Sequence, residues 1–152
     1  MRIAQQELRL NGLGLRSVAW FNGFAAGLYL AERQSTPAGV YAAPGAKRLQ
    51  MKMLVDVPAV EFSKALKKGI RRNSSDAEWA KLEPRVAQFD RAVVALGTTR
   101  KGDVFDLDYV PGQGFVFRAN GKPQGAVIAG DDFYDAVLKI FLGERPVDQK
   151  LK

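Results

Sequence analysis

Arg16 is the residue whose type and place most demand a chemical account. It stands in "NGLGLRSVAW", residues 11 to 20, among Leu13, Leu15, Val18 and Trp20. A guanidinium inside an apolar strand is costly unless an anion pairs with it. It offers planar, two-point recognition and keeps its proton at neutral pH, so its chemistry is anion reception. Two readings compete. Arg16 is either a structural cation that snorkels or pairs with an internal carboxylate, or the receptor for a guest anion at the end of an apolar pocket.

Two other groups carry charge in a pattern. Asp106 and Asp108 alternate on one strand face, which is how paired carboxylates hold Mg²⁺ or Mn²⁺. No third ligand is in sight on that face, so a solvated outer face is expected and no metal. The run Lys64 to Arg72 makes a basic helix face, a place for phosphates or acidic lipid, or an ordinary wet helix back. No aromatic interrupts it, which argues against base stacking and specific nucleic-acid binding. The chain has no cysteine and no histidine. Disulfides, thiolate zinc sites and Ser-His-Asp or Cys-His catalysis are therefore excluded. No phosphate-loop, dinucleotide or EF-hand pattern occurs, and no cofactor is expected.

The elements that must position Arg16 follow from turn chemistry and periodicity. Asn-Gly suits a two-residue hairpin turn and occurs at 11–12, 22–23 and 120–121. The first two are expected to join strands over about 3–10, 13–21 and 24–32. Leu13, Leu15 and Ala19 on one parity, with Val18 and Trp20 on the other, predict a central strand covered on both sides. Thr36-Pro37 opens a short helix over about 36–43. "RLQMKMLVDV" alternates as a strand. Phe62, Ala65, Leu66, Gly69 and Ile70 give a helix over 58–72 its buried stripe. Ser74-Ser75-Asp76 starts another, with Trp79, Leu82, Val86, Phe89 and Val93 inward and Pro84 expected to divide it. "DVFDLDYV", "FVFRA" and "KPQGAVIA" read as strands, and Asp131-Asp132 opens a last helix to 142. Residues 143–152 form a tail.

This order, strands, helices, strands, helix, is α+β: an antiparallel sheet with helices gathered on one face. With 152 residues, 47% apolar and 26% charged, the chain suits one soluble domain over 1–152. The net charge of +7 attracts anions of many kinds. No apolar run is long enough to span a bilayer, and the first residues lack signal-peptide form. The expected location is the periplasm if a leader has been removed, and otherwise the cytoplasm.

"LNGLGLRSVAWFNGFAAGLYLAE" resembles the opening strands of the chalcone isomerase fold, and of its bacterial chalcone-isomerase-like members in particular. The carriers are Gly12-x-Gly14-x-Arg16 and "AGLYL" at 26–30. The resemblance continues through "MLVDVPAVEFSKALKKGI", "RVAQFD", "KGDVFDLDYVPGQG", "ANGKPQGAV" and "FYDAVLKIFLGERPVDQKLK". It implies an open-faced β-sandwich with a ligand cleft between sheet and helices, and, at Asn11-Gly12, a looser, bulged join as the alternative to a tight turn. In the plant enzymes an arginine orients a chalcone and steadies the negative charge that develops as it cyclises. Arg16 matches that arginine, and it is the expected catalytic residue if this chain is an intramolecular lyase. The family's threonine, tyrosine and asparagine fall at Phe24, Phe62 and Gly69, which removes three polar contacts to a polyphenol. What remains resembles the family's non-enzymatic, fatty-acid-binding branch. The expectation is a small amphipathic carboxylate, its head on Arg16 and its chain along Phe24, Phe62 and Leu66. The rivals are chalcone-type cyclisation of a polyphenol and a basic surface for acidic lipid.

Overall fold

The computed structural model describes residues 2–3, 6–7, 9–18, 21–30, 37–42 and 45–142, with side chains at 24–30, 38–42 and 45–140. The tail at 143–152 lies outside them. In chain order the elements are β1 (Arg2–Ile3), β2 (Gln6–Glu7), β3 (Arg9–Val18), β4 (Phe21–Leu30), α1 (Pro37–Ala42), β5 (Lys47–Met53), β6 (Val57–Pro58), α2 (Ala59–Arg72), α3 (Asp76–Val94), β7 (Thr98–Thr99), β8 (Val104–Val110), β9 (Gly114–Ala119), β10 (Lys122–Pro123) and α4 (Asp131–Leu142).

Six strands form one antiparallel sheet in the order β10-β9-β8-β5-β4-β3; β1 with β2, and β6 with β7, form two small pairs. Strand alternation sends Leu49, Met51 and Met53, Phe105 and Leu107, and Phe115 and Phe117 to the face that the helices cover. α2 presents Phe62, Leu66 and Ile70 to this layer, α3 presents Leu82, Val86, Phe89 and Val93, and α4 presents Phe133, Val137 and Ile140. Phe89 packs edge-on to Phe115 and Phe117, with ring centroids 4.9 and 5.3 Å apart. Such contacts fix ring geometry beyond simple burial.

Local chemistry sets the helix ends. Ser75 accepts from the Glu78 amide while the Glu78 side chain accepts from the Ser75 amide, a reciprocal cap on α3. At α4, Asp131 and Asp132 occupy the first turn, and the Arg85 guanidinium grips Asp132 through two bonds of 2.7 Å, tying α3 to α4.

Four expectations need correction. Neither of the first two Asn-Gly pairs is a turn, and at the first the ladder takes the bulged alternative that the family resemblance implied. Asn11-Gly12 lies inside β3 and Asn22-Gly23 inside β4, and the β3–β4 ladder shifts register between Leu10 and Gly12 and again between Arg16 and Ser17. Asn and Gly suit bulges as well as turns, since both tolerate the backbone that an extra strand residue needs. The hairpin joins Val18 to Phe21 instead, through residues outside the described set. Only Asn120-Gly121 is a turn, with φ of +51° and +85° between β9 and β10.

Second, β3 is an edge strand and not a central one. Apolar residues on both parities report cover above and below a strand; they do not report whether both hydrogen-bonding edges are used. Third, Pro84 does not divide α3, which runs unbroken from 76 to 94. Pro84 and Ala80 are both exposed, so water can satisfy the carbonyl left without its helical donor.

Fourth, Asp106 and Asp108 are not solvated: their exposures are 5% and 0%. Asp108 lies directly across from Arg48 on β5, whose Nε and Nη2 donate to it at 2.7 and 2.8 Å. Arg118 Nε on β9 donates to it at 3.2 Å, and Gln50 donates to Asp106 at 2.9 Å. Flanking strands thus cover these carboxylates with their own cations. No cluster of three metal-binding acids occurs among the described residues.

Candidate functional site

Strand pairing lines up residues by register in rows across the sheet, and the members of these rows on β4, β5, β8 and β9 face the helices. One row runs Arg16, Phe24, Met53; the next runs Gly14, Ala26, Met51, Phe105; the third runs Gly12, Leu28, Leu49, Leu107, Phe117. The bulge at Asn11 sets this parity, because it shifts the rest of β3 by one residue relative to β4. Arg16 is the last residue in regular pairing before the second shift. Beside it along β3 come two glycines, and beside Gly14 on β4 comes an alanine. At these register positions Gly12, Gly14 and Ala26 add little side-chain volume, and Ala26 is itself fully buried.

The predicted residues fall as follows. Arg16 is described by its backbone pairing opposite Phe24. Phe24 and Phe62 are each 1% exposed and Leu66 is 5% exposed, all within the sheet–helix layer. Phe62, on the first turn and a half of α2, lies 5.8 Å from Phe105 by ring centroids, above the second row. Gly69 lies two turns further on, at the contact of α2 with α4. The sequence reading left out Met53 and Met51. Met53 is fully buried and pairs directly with Phe24. Its alternation was legible in "RLQMKMLVDV", but its neighbours depended on a register that one strand cannot reveal. Thioethers adapt to irregular apolar surfaces, which suits the packed layer between sheet and helices.

Several other cations are already engaged. Arg48 and Arg118 are held by Asp108 on the outer face, and the Asp108 hydrogen bond raises Arg48 further above its usual range. Burial raises the Asp106 carboxyl. Lys47 is buried on the covered face in the row of Leu30 and Tyr109, at the opposite end of the strands from Arg16. Its Nζ donates to the Tyr41 carbonyl at 3.0 Å and lies 5.6 Å from the Tyr109 ring centroid; burial lowers its pKa. On the basic face of α2, Lys64 meets Glu61 at 3.5 Å, Lys67 meets Asp90 at 3.6 Å, and Arg71 pairs with Asp76. That face is thus partly neutralised by its own surroundings.

A six-stranded antiparallel sheet with helices over one face is an open-faced β-sandwich. The chain belongs to the chalcone isomerase-like family, whose description matches residues 1–152. Its fold is similar to the crystal structure of an Arabidopsis thaliana fatty-acid binding protein, with a TM-score of 0.67, 13% identity, and coverage of 95% of this chain and 84% of that one. At that identity the likeness speaks for the fold. No curated protein matches the sequence. No helix among the described residues is long and apolar enough to cross a membrane.

Proposed function

We propose that this chain is a binding protein for a small amphipathic carboxylate such as a fatty acid, held between sheet and helices with Arg16 as the anion receptor. The supporting observation is the row arrangement: the Arg16 position pairs with Phe24, in register beside Gly12, Gly14 and Ala26, whose side chains are the smallest available. Phe24, Phe62, Leu66 and Met53 supply apolar walls. Each methylene buried there contributes about 0.8 kcal/mol, so a medium-length acyl chain binds usefully before its head group is counted. The carboxylate then selects the orientation, because the guanidinium offers two parallel donors. The structural likeness to a protein described as fatty-acid binding agrees with this reading.

Titration of the purified chain with a fluorescent fatty acid tests it. Saturable binding is expected, weakened at least about tenfold by Arg16→Ala, since a charge-assisted pair is worth about 1.5–3 kcal/mol. Gly14→Leu, which adds side-chain volume at this stretch, is expected to block binding while Arg16 remains. Absence of binding by the unaltered chain, or equal binding by Arg16→Ala, overturns the proposal.

A further inference from the structure

At the other edge of the sheet, a second cavity of about 440 Å³ opens between α3 and β9. Its origin is a register change. Pro123 pairs with Arg118, whereas Ile128 pairs with Phe115. Between those two pairs β9 advances three residues while the returning segment advances five, so two residues bow away from the strand. The bow is pinned at both ends: the Gln124 amide donates to the Phe117 carbonyl at 2.7 Å, and Ile128 and Phe115 exchange bonds of 3.0 and 2.8 Å. Gly125 has a φ of +71°, and a Cβ there would stand 3.2 Å from the Ala92 Cβ on α3. The bow therefore leans on α3 at its narrowest point through two minimal residues, and the space behind it stays open.

The lining has two characters. Phe89, Phe115 and Phe117, the edge-to-face cluster of the core, line its floor together with Ile128, each showing only a few per cent of its surface. Gln88, Arg91 and Gln124 supply polar groups. Arg91 has no carboxylate at ion-pair distance among the described residues. An aromatic floor favours another ring; an unpaired guanidinium favours a carboxylate. The volume falls within the range of small-molecule sites.

We infer that the α3–β9 cavity is a second binding site, for a small planar aromatic carboxylate, with Arg91 as its counter-ion. It is separate from the Arg16 region. Four strand spacings lie between β3 and β9, about 19 Å, and the inference does not rest on the reading proposed for Arg16.

The test is a backbone-amide NMR titration with 2-naphthoate, using 2-naphthylmethanol as the uncharged control. Saturable shifts are expected at Ala92, Gly125, Ala126 and Ile128. Affinity is expected to fall about fivefold for the uncharged probe and for Arg91→Gln, the scale of a partly exposed ion pair. Ala92→Trp is expected to abolish the shifts, and Arg16→Ala to leave them unchanged. Shifts confined to Phe24, Phe62 and their neighbours would overturn the second site and leave the first standing. So would equal binding by the native chain, Arg91→Gln and Ala92→Trp.

Discussion

Gly69 on α2 meets Ile140 on α4 so closely that a Cβ at position 69 would stand 2.9 Å from the Ile140 Cγ2 and 3.1 Å from its Cγ1. Ile140 is β-branched and 2% exposed, so it has little freedom to move aside. The two helices owe their close approach to the missing side chain. Gly69→Ala is therefore expected to destabilise the fold. Overpacking by one methyl costs about 1–3 kcal/mol, and the helix propensity gained returns about 1 kcal/mol. In a double-mutant cycle with Ile140→Ala, the pair should lose less than the sum of the singles. Thermal or denaturant unfolding measures both; a stabilised Gly69→Ala would refute the contact.

The same contact bears on catalysis. The family resemblance read in the sequence puts the family's asparagine at Gly69, and the space above Gly69 is occupied by Ile140. On that alignment Phe24 and Phe62 stand at the other two polar positions, and a chalcone would lack donors there. Loss of chalcone absorbance is expected to proceed at the buffer rate with or without the protein, and Gly69→Asn is not expected to raise it. A protein-dependent rate abolished by Arg16→Ala would instead establish cyclisation.

Arg48 and Asp108 give a test of the outer face. Removing Arg48 leaves a buried carboxylate with Arg118 alone, so Arg48→Met is expected to cost about 3 kcal/mol. Asp108→Leu leaves Arg48 with Asp106 at 3.6 Å and Arg118 without its carboxylate, and both guanidinium groups are partly exposed and can reach water. The double variant Arg48→Met with Asp108→Leu should recover much of the loss, because a well-packed apolar pair serves as well as a buried ion pair. Urea midpoints at neutral pH decide it; additive losses would show that the two residues act independently.

Tyr41 offers a pH signature. Its hydroxyl is buried without a hydrogen-bond partner among the described residues, and burial pushes its pKa up to about 12 from an ordinary 10.0. Tyr41→Phe removes an unsatisfied polar atom and is expected to stabilise the fold by about 1 kcal/mol. Between pH 10 and 12 the unfolded chain releases this proton while the folded chain keeps it, so stability falls as pH rises. Lys47, lowered by burial, acts in the opposite sense. Tyr109 and Tyr134 are raised as well, so the difference between the native and Tyr41→Phe curves isolates Tyr41. Parallel curves across that window would refute the assignment.

Periodicity and turn chemistry, both local, made the architecture legible. The stripe Phe62, Leu66, Gly69, Ile70 gave α2 to within a residue, and Phe105, Leu107 and Tyr109 were set apart from Asp106 and Asp108 by alternation alone. The ambiguous signals were those with two physical uses. Asn-Gly serves turn and bulge alike, and a proline on an exposed helix face leaves a carbonyl that water can satisfy.

Neighbourhood belonged to the tertiary structure. That Arg48 and Arg118 cover Asp108, that Arg16 pairs with Phe24, and that Gly69 abuts Ile140 all depend on strand register and helix placement. A sequence records which residues share a face of one element. Which element comes to lie against that face is decided by closing loops and filling one shared core, and this is a property of the whole chain.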